Sequence, residues 1–406
     1  MARPVLGQSN QGVSVVSRLV VLPTNHRLIL AIFSVITAVQ YGRSEADVVS
    51  ITPIGVLSGY ASSRAHSMTP DGAVVVGWSG NGNPENGLPG DPGRAILWTR
   101  NGGMVNLGVL PGGAKSLAEG VSDDGTVVAG WSESSDRERA FRWTASTGMV
   151  DLGKLSPTAW SSFAYDISGD GNIIVGDADD YWRWATKWTA SSGLQRIDPQ
   201  FGFESAYAIS DDGRVVIGSY RPAVGAIDSG VRWTASDGIV SLGTFPTGLS
   251  TLPTALNADG SVIVGSADVG AATHAFRWTL STGLIDLGVP LGASYSSAQG
   301  VNSDGSVIVG LAIAIGGSRG FVWTESGGPQ WLDDYLINAG VDLTGWSRLA
   351  GASAVSADGK TIIGSGVYDG VYQGFVATVP EPSTWVMGAS GIAWALWTAS
   401  YRRRRA

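Results

Sequence analysis

Carboxylates and imidazoles are the side chains of this sequence that could do chemistry, and they are sparse. Beyond residue 46 the histidines are His66 and His274, and no metal-binding or nucleophile motif surrounds either. Adjacent acids occur at Asp179–Asp180 and at Asp333–Asp334. Such pairs can act as acid and base where their environments separate their pKa values, but acidic pairs in loops are usually solvated. The sequence therefore favours a protein that is not an enzyme.

A second acidic pattern is one aspartate followed by glycine in each of seven segments, at Asp71, Asp124, Asp170, Asp212, Asp259, Asp304 and Asp358. Calcium cages need several acids at alternate positions and a further carboxylate, whereas these loops offer one or two. Ser, Thr or Asn opens each segment, as in "SDDG", and Gly closes it. This pattern predicts a type I turn with a left-handed glycine. We expect turn formers here, with no metal and no cofactor.

The aspartates belong to a longer repeat. A Trp-Thr pair recurs every 45 residues, at Trp98, Trp143, Trp188, Trp233, Trp278 and Trp323, and the seventh unit ends at "GFVAT" with Ala377 in place of tryptophan. Each unit contains short β-branched or aromatic runs divided by turn residues, for example "AEGVS", "TVVAGW", "AFRWT" and "MVDLG". These runs predict four strands per unit, the second buried on both faces. Aromatic residues at a fixed position in every unit are expected to be core.

A four-stranded unit of this period is typical of a propeller blade. We predict an all-β fold: a seven-bladed β-propeller over residues 47–379. The seventh unit lacks its fourth strand, and residues 51–57 resemble a fourth strand without a blade. Their pairing would close the ring and cover an open edge. The longer loops at 78–94 and 331–353 are the best candidates for a binding face, and the alternative is that they are ordinary solvent-exposed loops.

Composition limits the location and partners of the protein. Cysteine is absent, which excludes thiol chemistry. An apolar run at 28–39, preceded by basic residues and followed by "SEA", predicts a signal peptide over 1–46. Residues 47–379 carry 18 basic and 32 acidic side chains, and a net charge of −14 disfavours nucleic acid as a partner.

The units resemble the HAF repeat of extracellular bacterial proteins. "HAFRWT" at 274–279, preceded by "DGSVIVG" and followed by "STGLIDLG", carries the likeness, while "RAILWT" and "WATKWT" lack the histidine. The resemblance covers 51–378 and implies export, but it brings no activity or site residues.

The last 27 residues, 380–406, resemble a PEP-CTERM sorting signal. Pro380, Glu381 and Pro382 precede an apolar stretch at 385–400, and Arg402, Arg403, Arg404 and Arg405 follow it. The resemblance implies processing by an exosortase after transient anchoring in the inner membrane. Arginines remain on the cytoplasmic side, which would place the propeller outside.

Two classes of function fit these observations. The first is a non-catalytic surface or matrix protein whose loops bind extracellular polysaccharide or a surface protein. The alternative is a propeller-fold polysaccharide lyase or hydrolase, since a fold alone does not decide function. Carboxylates converging in one cleft would favour the enzyme, and an aromatic and polar rim would favour the binder.

Overall fold

A computed structural model describes residues 49–81, 93–198, 202–221, 223 and 227–380. The predicted signal peptide, most of the 78–94 loop and the tail from Glu381 onward lie outside these described residues. Within them, no helix is long and apolar enough to cross a membrane.

The described chain is built almost entirely from short strands. The first half contains β1 (Ser50–Pro53), β2 (Ser62–Met68), β3 (Val74–Gly80), β4 (Gly93–Thr99), β5 (Gly103–Asn106), β6 (Ser116–Val121), β7 (Val127–Glu133), β8 (Glu138–Thr144), β9 (Gly148–Asp151), β10 (Ser161–Ile167), β11 (Ile174–Asp180), β12 (Trp182–Thr189), β13 (Gly193–Arg196) and β14 (Phe203–Ile209). The second half contains β15 (Val216–Tyr220), β16 (Ser229–Thr234), β17 (Gly238–Ser241), β18 (Thr251–Leu256), β19 (Ile263–Val269), β20 (Ala272–Thr279), β21 (Gly283–Gly288), β22 (Ala293–Val301), β23 (Val307–Ala314), β24 (Gly317–Thr324), β25 (Gly328–Trp331), helix α1 (Leu332–Asn338), β26 (Trp346–Val355), β27 (Thr361–Tyr368) and β28 (Val371–Thr378).

Each repeat forms an antiparallel meander in which neighbours in the chain are neighbours in the sheet. Strands β2–β5, β6–β9, β10–β13 and β14–β17 make four such sheets within the described residues. Strands β18–β21 and β22–β25 belong to one larger sheet, because a single parallel bridge joins Thr273 to Tyr295. These sheets establish an all-β, propeller-like architecture.

The last sheet is completed by the start of the described chain. Strand β1 pairs antiparallel with β28, with Ser50 opposite Thr378 and Pro53 opposite Phe375. The predicted contact between the segment 51–57 and the last repeat is therefore present. The first and last repeats also interlock, since the Ser353 hydroxyl donates to the Ala65 carbonyl at 2.8 Å.

The second strand of each repeat is the buried centre of its sheet, as its apolar run predicts. Val75, Val128 and Val216 are fully buried, and so are their counterparts in other repeats. The repeated tryptophans pack against the core as predicted, Trp98 and Trp278 being buried and the other four partly buried. Fully buried rings lie two residues before three of these tryptophans, at Phe141, Phe276 and Phe321, and Phe375 has the same place before Ala377.

The aspartates form turns in all seven repeats. The glycine after each aspartate has a φ of 68–77°, in the left-handed region. Each aspartate Oδ1 accepts the backbone N–H two residues later at 2.9–3.0 Å. These hydrogen bonds confirm the aspartates as turn formers. A group of three or more His, Cys, Asp or Glu residues that could hold a metal does not occur in the described part of the chain.

Neighbouring turns are hydrogen-bonded to each other through the residue before the aspartate. The N–H of Asp123 donates to Gly169, that of Gly169 to Asp211, and that of Asp211 to Ala258. The last repeat continues the series, because the Ala357 N–H donates to the Pro70 carbonyl at 2.8 Å.

The insertion at 331–353 contains α1, a helix that the strand pattern did not predict. Leu332 and Leu336 form its buried face, and both side chains are fully enclosed in the core between the sixth and seventh repeats. Trp346 begins β26 and packs edge-on against Phe375 at 5.6 Å. The insertion is therefore partly core, while Asp334, Ile337 and Asn338 of α1 line a surface pocket.

The pairing of β1 generates a stability prediction. A fragment of residues 61–379 lacks β1 and Ile54, which is 4% exposed and packs beside Val376. We expect it to be several kcal/mol less stable than 47–379 in urea unfolding, because the edge of β28 loses its hydrogen bonds and a core side chain. Equal unfolding midpoints for the two fragments would contradict closure by β1.

The turns generate a second prediction. Hydrogen bonds from Thr126 hold the pKa of Asp124 below its usual value, and those from Thr69 do so at Asp71. We expect Asp124→Ala to cost ~1 kcal/mol of unfolding free energy, as loss of a capping carboxylate does. Calcium or EDTA should leave the melting temperature of the wild type unchanged, whereas a ligand at about 100 times its Kd would add ~2.7 kcal/mol. A calcium-dependent rise would show that the loops bind metal.

Candidate functional site

The two acidic pairs that the sequence analysis considered for catalysis lie on different elements, and most of the proposed processing residues lie outside the described structure. Pro380 follows β28 and is half-buried, while Glu381, Pro382 and Arg402–Arg405 lie outside the described residues. Asp333 forms an ion pair with Arg319 on the face of α1. Asp179 and Asp180 lie at the end of β11, and Asp179 lines a surface cleft.

The described structure has a cavity of about 640 Å³ lined by the first strands of the repeats. Each first strand contains a bulge, and the residue in the bulge lies five positions before the turn aspartate. The bulged residues are His66, Glu119, Tyr165, Tyr207, Thr254, Gln299 and Ser353, and all seven line the cavity. We call this space the axial cavity.

A glycine in the second strand accompanies every bulge. It occurs at Gly77, Gly130, Gly176, Gly218, Gly265, Gly310 and Gly364, where an added Cβ would lie 1.8–2.1 Å from a carbonyl oxygen of the first strand. Only glycine permits two backbones to approach this closely. The repeat thus fixes the backbone around the bulge and leaves the bulged side chain free to vary.

Most polar groups of the axial cavity have protein partners. His66 Nδ1 lies 3.1 Å from Glu119 Oε2. The Tyr207 hydroxyl donates to the Ser219 hydroxyl at 3.1 Å, and the Gln299 amide donates to the Ser297 hydroxyl at 3.0 Å. The cavity wall is therefore ordered by its own hydrogen bonds.

A buried carboxylate lies behind this wall. Asp177 is fully buried, and its Oδ2 accepts hydrogen bonds from Tyr165 at 3.0 Å and Ser205 at 2.8 Å. Its Oδ1 is buried and has no hydrogen-bond partner in the described structure. Burial raises the pKa of Asp177 to about 6, although the Arg183 Nε lies 3.8 Å away. Other repeats place Trp, Ser or Leu at this position.

A second concave surface lies between the third and fourth repeats and carries exposed aromatic rings. Trp160 is 67% exposed, Tyr181 96% and Trp182 50%, and all three line a cleft of about 470 Å³. Tyr181 is the single residue between β11 and β12, and its φ is 64°. A non-glycine residue in this region is strained by roughly 1–2 kcal/mol. We call this surface the aromatic cleft.

The charged residues of the aromatic cleft form two ion-paired groups. Arg221 makes a two-pronged pair with Asp228, at 2.6 and 3.0 Å, and approaches Glu204 at 3.4 Å. Arg183 Nε lies 3.5 Å from Asp179. Burial raises the pKa of Glu204 above its ordinary value. Each arginine is thus already matched by carboxylates, and the cleft offers mainly hydrogen-bond acceptors to a ligand.

Sequence reasoning identified Asp179 and Asp180 but missed the aromatic cleft. The signal was available: "DADDYWRW" at 177–184 departs from the second-strand pattern, with adjacent aromatics where other repeats have loop residues. The insertions, which we predicted as the binding face, do not line this cleft where they are described.

No protein-family model and no curated protein matches the sequence. Solved structures resemble it in fold. An oligogalacturonate lyase in complex with manganese is 14% identical, covers 82% of this chain and 93% of its own, and has a TM-score of 0.52. The oligogalacturonate lyase of Vibrio parahaemolyticus is also 14% identical, over 82% of this chain and 94% of its own, with a TM-score of 0.52.

A third similar structure is a prolyl endopeptidase, which is 12% identical over 80% of this chain and 51% of its own, with a TM-score of 0.50. These likenesses support the propeller-like fold. At such low identity they carry no information about activity.

The buried Asp177 generates a pH prediction. Its pKa is about 6 in the fold against 3.8 when unfolded, so the unfolded state loses its proton first as the pH rises. Asp177 therefore contributes its full share of the unfolding free energy below about pH 4. That contribution falls as the pH rises to about 6, and the total loss is at most ~3 kcal/mol. We expect Asp177→Asn to gain stability over the wild type across this range and to keep a constant advantage above it.

Urea unfolding of both proteins from about pH 4 to pH 8 measures this difference. The asparagine oxygen can still accept the hydroxyls of Tyr165 and Ser205. Asp334→Asn, on the exposed side of α1, is the matched control for the loss of one carboxylate. A difference for Asp177→Asn that does not change with pH would show that its carboxyl group titrates normally.

Proposed function

We propose that this chain is an exported, non-catalytic, seven-bladed propeller that binds glycan at the aromatic cleft. The observation that carries the proposal is Tyr181, which is almost fully exposed in a strained conformation beside Trp160 and Trp182. A protein retains strain of this kind mainly at functional positions. Six repeats of four strands, and a seventh of three strands that β1 completes, support the count of seven blades.

The chemistry of the cleft supports a sugar ligand. The face of an aromatic ring is electron-rich and attracts the C–H groups on one side of a sugar ring. Sugar hydroxyls are donors, and the carboxylates of Asp179, Glu204 and Asp228 supply acceptors in charge-assisted hydrogen bonds. Because the arginines are already paired, a neutral or amino glycan fits this surface better than an acidic one.

An enzyme is the second candidate, and Glu204 favours it. Its raised pKa is what a general acid needs, and two further carboxylates line the same cleft. Incubation with neutral and acidic polysaccharides, followed by measurement of new reducing ends, separates the two functions. We expect no product. Release of product that Glu204→Gln abolishes would establish a hydrolase or lyase.

The glycan proposal predicts that variants of the cleft weaken glycan binding and that one of them, Tyr181→Gly, also raises the stability of the fold. A glycan array identifies the ligand, and calorimetry then measures its affinity. We expect Trp182→Ala to weaken binding about 30-fold, the loss of ~2 kcal/mol typical of a central aromatic contact. Tyr181→Gly should also weaken binding, yet it should raise the unfolding free energy by up to ~1 kcal/mol because the strain is released.

Leu291→Ala is the control, because Leu291 is 96% exposed and is not part of the cleft. It should change neither binding nor stability. Glycan binding that survives both cleft variants would place the site elsewhere on the protein. If Tyr181→Gly lowers stability, its conformation serves packing rather than recognition.

We further propose that the tail is a sorting signal that an exosortase recognises at the inner membrane and removes. The order of Pro380-Glu381-Pro382, apolar stretch and Arg402–Arg405 supports this, and the HAF-like repeats are consistent with an extracellular product. Arginine is costly to move through a bilayer and would hold the end of the chain in the cytoplasm.

Intact mass of the protein from its native cells tests the sorting proposal. We expect the mature chain to end near Pro380–Pro382, because two prolines keep the backbone extended and open to cleavage. Glu381→Ala should leave more of the chain uncut if the exosortase reads this residue. A mature chain that still ends at Ala406 would indicate a permanent membrane anchor.

A further inference from the structure

We propose that the axial cavity is a second ligand site, which shares the lining residue Tyr207 with the aromatic cleft, and that it takes a small hydroxylated carboxylate such as a sugar acid. Its volume of about 640 Å³ is within the 300–1,000 Å³ that is usual for small-molecule sites. It is lined by the repeats themselves rather than by loops, so it is independent of the glycan proposal.

The repeats provide an internal comparison for this cavity. The residue before the bulge is alanine in six repeats and proline in one, and the glycine opposite is the same in all seven. The bulged residue between these fixed neighbours differs in almost every repeat: His, Glu, Tyr, Tyr, Thr, Gln and Ser. Neither the backbone geometry of the bulge nor core packing therefore dictates the bulged residue. The pattern is that of a fixed scaffold that presents individually chosen side chains.

Arg64 gives the cavity a positive group that the protein does not neutralise. It lines the cavity, and its guanidinium lies 5.8 Å from the ring centroid of Tyr372. Its Nε is buried without a hydrogen-bond partner, and no side-chain hydrogen bond or ion pair of Arg64 occurs within the described residues. A guanidinium presents a planar fork of donors that matches a carboxylate. A buried donor without an acceptor is costly, and a bound carboxylate would satisfy it.

The charged side chains that line the axial cavity suit a ligand with a single carboxylate. Arg64, His66 and Glu119 are the acidic and basic residues that line the cavity in the described structure, and His66 contacts Glu119. Glu119 therefore has a side-chain partner, whereas Arg64 has no carboxylate partner within the described residues. Gln299 uses its amide N–H₂ on Ser297, so its carbonyl can accept a ligand hydroxyl. These groups suit a carboxylate at one end and hydroxyls along the rest.

D-Glucuronate and D-glucose are the probes, because they share a ring and differ by one carboxylate. We measure binding to the full-length chain by calorimetry at concentrations up to ~50 mM, which detects even a millimolar Kd. We expect D-glucuronate to bind and D-glucose to bind at least tenfold more weakly. Arg64→Gln should weaken D-glucuronate binding ten- to a hundredfold, and Arg64→Lys should restore part of it.

A second variant keeps the test valid if Arg64 variants fold poorly. Leu311 lines the cavity, and the first two repeats have Trp78 and Trp131 at the equivalent position, so Leu311→Trp enlarges a lining side chain with a residue type that the repeat already contains. It should abolish D-glucuronate binding and leave Arg64 in place. Arg137→Gln, at an exposed arginine, is the control and should not affect binding.

Three outcomes overturn the proposal: D-glucuronate fails to bind, both sugars bind equally, or Arg64→Gln and Leu311→Trp bind as the wild type does. Trp182→Ala separates the two sites. If it removes D-glucuronate binding while Leu311→Trp does not, the ligand occupies the aromatic cleft and the axial cavity is not its site. If Leu311→Trp alone removes binding, the axial proposal holds whether or not the cleft binds glycan.

Discussion

The close approach of the first and second strands at one glycine per repeat is the constraint on which the rest of the structure depends. The first-strand carbonyl lies where a Cβ would be, so the ladder cannot continue regularly and a bulge takes up the extra residue. The same contact recurs in every repeat, for example at Gly176 and Gly364. The bulge then directs one side chain per repeat to the axial cavity. A single backbone feature thus sets both the packing of the repeat and the composition of its central space.

The third repeat departs most from the shared pattern, and the unusual chemistry is concentrated there. Asp166 takes the place of a small residue, and its carboxylate accepts the N–H of Ile209 in the next repeat at 2.9 Å. Burial raises its pKa to about 7. Asp177 and Tyr181 belong to the same repeat. Buried carboxylates and a strained backbone lower the stability of this repeat. The fold tolerates them because each repeat is also stabilised by its contacts with the neighbouring sheets. Function can therefore change in one unit without changing the fold.

Much of the architecture could be predicted from the sequence, because the repeat multiplies weak local signals. Seven Asp-Gly turns agree with one another, and the unpaired segment at 51–57 has one obvious place in a set of repeats. Helix α1 could not be predicted, since its seven residues are too short for helical periodicity and it is held by core contacts of Leu332 and Leu336. The aromatic cleft also escaped prediction. It depends on Trp160 and Arg221 meeting across two repeats, which are 61 positions apart in the chain.

The pairing of β1 with β28 has a consequence for the order of events during synthesis. The Gly374 N–H and its Ser63 acceptor are 311 positions apart, and β1 has its partner only after Thr378 exists. At roughly 5–20 residues per second, the ribosome needs about 15 to 65 s between the two strands. For all of that time β1 and the edge of the first repeat are open to other chains. The residues that close the last sheet are far apart in the sequence. We therefore expect this pairing to form more slowly than the antiparallel meander within each repeat. The chain therefore remains open to aggregation from the synthesis of β1 until β28 has paired with it.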